Sequence, residues 1–367
     1  MSADARRQML VPLLVAIVSC GQPADHTNSV LASQREARSS ATSGPPNVEF
    51  GCRLPVASLG TKGSGGFIQF PQATFVPDLA SDVAYDAAVH RWLPVRASLI
   101  APDGRSYAES IPAGAATRVR LVDALSGSSR NVWSGYGNWR AVGYVPALLY
   151  TLRIYPAINQ YASSTYQVYV LDVRSPKPNP KLIGPPSPSE WTLWGPPSAG
   201  AMWGIAVGSP PRLPPYPTPT SGLRIYMDTV IRMDLLTGAI QTFVTLPGMN
   251  LSLLGFDSGN RPIVAMRGYS TPINRVALIT GPDSIADLFR GADLGLEPWS
   301  ALSDQHGIWF DSPSTQSIWL YDVKAGLRRV YAFPRPTPQP TPSREQSAGL
   351  GGPARLLTQR VLAGPCE

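Results

Sequence analysis

The stretch Arg120–Trp133 reads RLVDALSGSSRNVW, and it is one copy of a phrase that recurs along the chain. In each copy an apolar run ends in aspartate, a few residues that usually include glycine follow, and a second apolar run begins. The other copies are YVLDVRSPKPNPKLI (Tyr169–Ile183), IRMDLLTGAIQTFV (Ile231–Val244), WLYDVKAGLRRVYAF (Trp319–Phe333) and, in weaker form, AYDAAVHRWLPV (Ala84–Val95). Two short apolar runs separated by turn-forming residues are typical of a β-hairpin. The phrase therefore predicts a series of repeated hairpins.

The spacing of these hairpins indicates how they are arranged. Successive copies begin roughly 40–60 residues apart, except for a last step about twice as long, and propeller repeats commonly run about 40–50 residues. A degenerate copy at Arg275–Thr280, followed by Gly281-Pro282-Asp283, fits midway in that last step. We therefore predict an all-β fold, a β-propeller of six blades, with seven blades as the alternative. An array of β-sandwiches is the other architecture that such strands could build.

Proline-rich stretches interrupt the repeats. Ser209–Thr220 and Pro334–Pro342 should be stiff, exposed polyproline segments between strands. Arg355–Leu362 follows the second of them, and we expect a strand there that closes the ring against the N-terminal blade.

The turn Pro102-Asp103-Gly104, within ASLIAPDGRSYAE at Ala97–Glu109, resembles the hairpin turn of TolB-like and WD40-like propeller repeats. The resemblance extends loosely over Phe67–Phe333. It implies the propeller architecture and says almost nothing about a ligand, because propellers host many unrelated functions.

The N-terminus has the pattern of an export signal. Arg6 and Arg7 precede an apolar run, Met9–Ser19, which is shorter than the roughly 20 residues that a membrane-spanning helix needs. The run ends in Ile17-Val18-Ser19-Cys20-Gly21, which resembles the bacterial lipoprotein lipobox and implies lipidation of Cys20. An ordinary cleaved signal peptide, with Cys20 incidental, is the alternative. We predict a signal peptide over residues 1–19, a flexible tether over 20–46 and the propeller over 47–367, held at the extracytoplasmic face of the cell membrane by lipid.

Two further cysteines, Cys52 and Cys366, lie at the two ends of the predicted folded body. Export would place them in an oxidising compartment. We predict a disulfide between them, which would help to close the ring; two unpaired buried thiols are the alternative.

The remaining composition favours no particular chemistry. The net charge is +7, but the arginines are dispersed and no run indicates a nucleic-acid partner. The three histidines (His26, His90 and His306) and the glycine-rich stretches form no catalytic, zinc or phosphate-binding motif, so we predict no catalytic residue, no metal ligand and no cofactor. A calcium site remains open; its candidate ligands are Asp78, Asp82, Asp257 and Asp304.

The clearest indication of binding is a group of tryptophans, Trp191, Trp194 and Trp203, in the segment WTLWGPPSAGAMW. Exposed on a loop, they could stack on sugars or prolines; buried, they would fill the space between blades. The sequence thus predicts a non-catalytic module that binds a protein, peptide or glycan at the cell envelope. A propeller-type hydrolase or lyase, and a structural envelope component, are the alternatives.

Overall fold

The computed structural model describes residues 48–155, 165–185, 191–207, 227–268, 273–290, 298–334 and 359–367. In these ranges the regular structure is almost entirely antiparallel β-strand, and one 3-10 turn at Ala97–Leu99 is the exception. No helix in the described part of the chain is long and apolar enough to cross a membrane. The all-β prediction is confirmed.

In the described ranges the strands form seven sheets, numbered here in chain order. Sheet 1 contains β1 (Cys52–Ser58), β2 (Gly66–Phe70), β3 (Thr74–Pro77) and β25 (Arg360–Leu362), in the order β25-β1-β2-β3. Sheet 2 is a hairpin of β4 (Ala84–Asp86) and β5 (Arg91–Leu93). Sheet 3 contains β6 (Ser106–Ala113), β7 (Ala116–Asp123) and β8 (Ser129–Tyr136).

The other four sheets each have four strands. Sheet 4 contains β9 (Asn138–Val145), β10 (Leu148–Tyr155), β11 (Thr165–Asp172) and β12 (Lys181–Ile183). Sheet 5 contains β13 (Trp191–Ser198), β14 (Ala201–Val207), β15 (Met227–Asp234) and β16 (Ile240–Pro247). Sheet 6 contains β17 (Met249–Phe256), β18 (Pro262–Gly268), β19 (Ile273–Gly281) and β20 (Ser284–Phe289). Sheet 7 contains β21 (Ser300–Asp304), β22 (Gly307–Ser312), β23 (Ser317–Asp322) and β24 (Gly326–Ala332).

Consecutive sheets pack against one another in a closed series. β9 and β13, each the first strand of its sheet in chain order, are in contact. β14 and β15 contact β17, β17 contacts β21, and β21 contacts β25. The 3-10 turn contacts both β9 and β4, and β4 contacts β1, which shares a sheet with β25. A closed series of small antiparallel sheets, most of them four-stranded, is a β-propeller.

Buried apolar side chains fill the spaces between neighbouring sheets. Leu54 of sheet 1 shares a core cluster with Trp309 of sheet 7, and Leu152 of sheet 4 shares one with Met202 of sheet 5. The predicted count of six blades stays a prediction. If the two-stranded sheet 2 is counted as a reduced blade of its own, the described sheets make seven blades. If sheets 2 and 3 are counted together as one blade, they make six.

The marker aspartate of each repeated phrase ends a strand and begins a tight turn. Asp123 Oδ1 accepts hydrogen bonds from the amides of Leu125 (3.1 Å) and Ser126 (2.7 Å). Asp234 repeats the arrangement with Leu236 and Thr237. These bonds, above all those from Ser126 and Thr237, lower the pKa of Asp123 and Asp234 respectively, because they favour the ionised carboxylate. The phrase recurs because the side chain of aspartate stabilises such a turn.

The ring closes as the sequence predicts. β25 pairs with β1 through Val56↔Leu362 and Ser58↔Arg360, and Cys52 and Cys366 form a disulfide with their Cα atoms 5.6 Å apart. The part of the predicted closing strand before residue 359 lies outside the described residues, as do Cys20, the predicted signal and tether, Ser209–Thr220 and most of Pro334–Pro342.

One predicted hairpin differs from the structure. The hairpin turn at Pro102-Asp103-Gly104 predicts a strand on each side of it, but on the N-terminal side Ala97–Leu99 form the 3-10 turn, and a single bridge from Ile100 to Tyr107 takes the place of a strand. The amide of Gly104 donates to the carbonyl of Ala101, so the turn begins one residue after the bridge residue Ile100 and leaves little room for a ladder. This irregular element forms one wall of the cavity described next.

Candidate functional site

A cavity of about 670 Å³, here called the inner cavity, opens where consecutive first strands meet. Its walls come from the 3-10 turn, β6, β9 and β13, with further side chains from β10 and β11. Ser110 Oγ on β6 accepts a 2.7 Å hydrogen bond from the amide of Ala141 on β9, which fixes these two walls together.

The strands around the cavity are irregular at matching places. The ladder register shifts in β9 next to Gly143, and in β13 between Trp194 and Pro197. Such β-bulges bend a strand and redirect side chains. A Cβ atom on Gly143 would lie 2.0 Å from Cδ of Pro197, so glycine is required where β9 approaches β13.

The charge on the inner cavity is positive. Arg96, just before the 3-10 turn, and Arg140 on β9 both line it, and neither guanidinium has a hydrogen-bond or ion-pair partner among the described residues. Burial, and then the like charge of Arg140, lower the pKa of Arg96. The carboxylate of Glu109, which also lines the cavity, accepts a 2.7 Å hydrogen bond from Arg120 Nε and is ion-paired to Arg120 Nη2 at 2.7 Å. Since Arg120 already neutralises Glu109, the two cavity arginines are left uncompensated.

Much of the opposite wall is apolar. It includes Val142, Leu152, Leu193 and Trp194. Leu193 is 60% exposed, while Trp194 is only 9% exposed and packs in the core between sheets 4 and 5. The cavity therefore combines a cationic end with an apolar surface.

The three tryptophans predicted to bind ligand do not share one environment. They lie on a β-hairpin, β13–β14, rather than on a loop. Trp194 borders the inner cavity, whereas Trp203 is buried between sheets 5 and 6 with its ring 4.6 Å from that of Phe243. The side chain of Trp191 lies outside the described residues. Trp194 lies at the edge of the cavity, where its ring is placed to contact a ligand. Its role in ligand binding stays a prediction.

A second cavity, of about 820 Å³, lies beside sheets 1, 2 and 3. Its polar side chains already have partners. Asp78 Oδ2 accepts a 2.9 Å bond from Trp92 Nε1, and Arg91 Nη1 donates to the carbonyl of Ala124 at 2.6 Å. Tyr85 also lines it, and its pKa is raised by burial and then by the carboxylate of Glu367.

The carboxylates considered for calcium also have protein partners. Asp257 is ion-paired to Arg261 at 2.6 Å, and Asp304 accepts bonds from Trp309 Nε1 (2.7 Å) and the amide of Cys366 (3.0 Å). Asp82 pairs with Lys62 at 3.2 Å. Within the described ranges, no three side chains of the metal-binding types gather at one point.

The histidines have identifiable positions. His306 lies in the β21–β22 turn, as predicted, with its ring stacked on that of Phe50 at 3.8 Å. His90 lies in the β4–β5 turn, 3.7 Å from Glu367 Oε2. His26 lies outside the described residues.

Sequence reasoning missed the two arginines of the inner cavity. Arg96 and Arg140 are 44 positions apart, since Arg96 directly precedes the 3-10 turn and Arg140 lies on β9. Each is one of 31 basic residues in the sequence. No local pattern marks them, because the fold alone brings them to one wall.

No protein-family model and no curated protein matches the chain. Among solved structures, the β-propeller domain of the trilobed protease from Pyrococcus furiosus is similar, at 11% identity and a TM-score of 0.44, covering 64% of this chain and 70% of that one. TolB from Acinetobacter baumannii gives 12% and 0.38, covering 79% and 63%. The acylaminoacyl peptidase of Pyrococcus horikoshii gives 12% and 0.41, covering 77% and 46%, so this chain spans less than half of that enzyme. Similarity at this level concerns the fold alone, and the propeller assignment rests on the sheet order and the closed ring.

Proposed function

We propose that this protein is an exported, lipid-anchored β-propeller that binds a ligand without transforming it, at the cell envelope and through the inner cavity. The observation that carries the proposal is the pair of arginines, Arg96 and Arg140, which have no partner among the described residues and lie on the wall of a cavity that also carries apolar side chains. Both side chains are exposed to solvent within the concave site, and their like charges repel each other. A bound anion would relieve this repulsion, and we therefore assign the pair to ligand binding.

The size and lining of the cavity fit such a role. Small-molecule sites are concave, about 300–1,000 Å³ in volume, and mostly apolar with a few polar groups that orient the ligand. The inner cavity has about 670 Å³ and combines apolar side chains with polar and charged groups.

The lining favours binding over hydrolysis or lysis. A glycoside-cleaving site needs two carboxylates free to act as acid and base or nucleophile. In the two cavities described above, Glu109, Asp78 and Asp123 each already accept bonds from neighbouring groups. The experiment below also tests the two alternatives, a catalytic role and a purely structural role.

The experiment is a thermal-shift screen of the full chain in a neutral detergent, against peptides, glycans and small organic acids, with mass spectrometry of each ligand afterwards. The matched variants are Ser98→Trp, which fills the inner cavity, and Ser134→Trp, which adds the same ring at an exposed site on β8. A ligand at a hundredfold excess over its Kd should stabilise the native state by about 2.7 kcal/mol.

We expect a shift that Ser134→Trp retains and Ser98→Trp loses, with the ligand recovered intact. A shift that survives in Ser98→Trp would contradict binding at the inner cavity. A chemically altered ligand would contradict the non-catalytic role, and no shift with any class would favour the structural role.

A further inference from the structure

We propose that the inner cavity is specific for an amphipathic carboxylate, a monoanion whose apolar body lies against the apolar wall while its carboxylate contacts Arg96 and Arg140. This inference rests on the proposed function and specifies its ligand class.

The charge balance excludes a cationic ligand at this end of the cavity. Two arginines, Arg96 and Arg140, and a single carboxylate, Glu109, line the cavity, and Glu109 contacts Nε and Nη2 of Arg120 at 2.7 Å. Since Glu109 is occupied, the wall carries a net positive charge. The like charge of Arg140 disfavours the protonated form of Arg96, and a bound anion would relieve that repulsion.

The guanidinium groups favour a planar oxyanion. Arginine presents its N–H donors in a fixed fork that matches a carboxylate through two parallel hydrogen bonds. Two such groups on adjoining elements, the start of the 3-10 turn and β9, can contact one carboxylate from two sides.

The apolar wall favours a ligand that is more than a headgroup. Val142 and Leu152 are partly or fully buried beside the cavity, Leu193 is largely exposed, and the edge of Trp194 completes the surface. An inorganic anion would leave this surface in water, whereas a compact apolar body would cover it.

The test is calorimetric titration of the full chain in a neutral detergent with three compounds that share one apolar body: 4-phenylbutyrate, 4-phenylbutyramide and 4-phenylbutylamine. Inorganic phosphate is a fourth titrant, and N-acetyl-leucyl-phenylalanine, a peptide with a free carboxylate, is the fifth. The variants are Arg96→Gln, Arg140→Gln and their combination, with Arg329→Gln on β24, outside both cavities, as the matched control. Near-ultraviolet circular dichroism checks that each variant is folded.

We expect the carboxylates to bind at least about tenfold more tightly than the amide and the amine, which corresponds to about 1.4 kcal/mol. Each single arginine variant should weaken carboxylate binding severalfold, the double variant should abolish it, and Arg329→Gln should leave it within about twofold. If the peptide binds more tightly than 4-phenylbutyrate, the natural ligand is a peptide C-terminus; the reverse order indicates a free organic acid.

Equal binding of carboxylate and amide, or unchanged binding in the double arginine variant, would overturn the inference. Phosphate binding as tight as that of 4-phenylbutyrate would also overturn it, because the apolar body would then contribute nothing. If the amide or amine binds and Ser98→Trp removes that binding, the proposed function stands although this inference fails. If none of the five titrants binds, but ligands of another class raise the melting temperature and Ser98→Trp removes that rise, the proposed function again stands although this inference fails.

Discussion

The carboxylate of Asp311 accepts a hydrogen bond from the backbone amide of Leu362 at 2.9 Å, across 51 positions of sequence. Asp311 is fully buried on β22, and it also accepts bonds from the amide (2.7 Å) and hydroxyl (2.6 Å) of Ser300 on β21. One side chain of sheet 7 thus holds β25, the strand that completes sheet 1. It is a polar connection at the closure of the ring, beside the disulfide.

Asp311→Asn should lower the free energy of unfolding by about 1–3 kcal/mol. Both carboxylate oxygens of Asp311 accept bonds, whereas an amide offers one oxygen and places a donor against the remaining N–H. Urea unfolding followed by tryptophan fluorescence measures the change. Asp283→Asn, in the exposed β19–β20 turn, is the control and should change stability little; equal stability of Asp311→Asn and the wild type would contradict the closure role.

Asp228→Asn should raise stability at neutral pH. Asp228 is 1% exposed, its Oδ2 accepts a 2.8 Å bond from the amide of Leu251, and its Oδ1 is buried without a hydrogen-bond partner. Burial raises the pKa of this carboxyl, although the bond from Leu251 opposes the shift. The folded state therefore holds the proton more tightly than the unfolded state, and this group lowers stability as the pH rises from about 3.9, the unfolded value, through the raised folded value.

Melting temperatures of the wild type and Asp228→Asn, measured from about pH 4 to pH 8, test this prediction. The difference should favour the variant at high pH and shrink towards the acid end. A difference that does not vary with pH, or a variant that is less stable at pH 8, would show that Asp228 is stabilising as a carboxylate.

Replacement of both Cys52 and Cys366 by serine should lower the free energy of unfolding by about 2–5 kcal/mol. The disulfide joins residues 314 positions apart, so it restricts the unfolded chain strongly. Urea unfolding with and without reductant gives the measurement. Reduction should destabilise the wild type to the level of the double variant and should leave the variant unchanged; insensitivity of both proteins to reductant would mean that the bond does not form.

Gly255→Ala should destabilise the fold by about 1–3 kcal/mol through crowding of two first strands. A Cβ atom at Gly255 on β17 would lie 2.1 Å from the carbonyl oxygen of Ala301 on β21, a backbone atom that cannot rotate away. Gly51→Ala is the matched control, because the nearest atom to its added methyl group is 3.8 Å away. If thermal unfolding cannot distinguish the two variants, sheets 6 and 7 are not packed as closely as the structure shows.

Cys20→Ser should move the protein from the membrane fraction to the soluble fraction of a bacterial expression host. Lipid attached to the Cys20 thiol is the proposed anchor, and each buried methylene of an acyl chain contributes about 0.8 kcal/mol to membrane binding. Metabolic labelling with radioactive palmitate should mark the wild type and not the variant. Continued membrane association of an unlabelled Cys20→Ser protein would contradict the lipid anchor.

The local patterns predicted the hairpins well because each depends on a short range of residues. Asp123, Asp234 and Asp322 end strands where the repeated phrase placed them, since an aspartate side chain reaches the amides two and three positions ahead. The hairpin predicted within Ala97–Glu109 was wrong in its first half, where Ala97–Leu99 form a 3-10 turn because no ladder partner is in place.

Local sequence determined the all-β class and the positions of the turns, because turn chemistry and strand alternation act over a few residues. Only the tertiary structure decided that Trp203 is buried between sheets, that Trp194 borders a cavity, and that Arg96 and Arg140 share its wall. These relationships depend on how whole sheets pack around the ring, and side chains from different sheets become neighbours only when the ring closes.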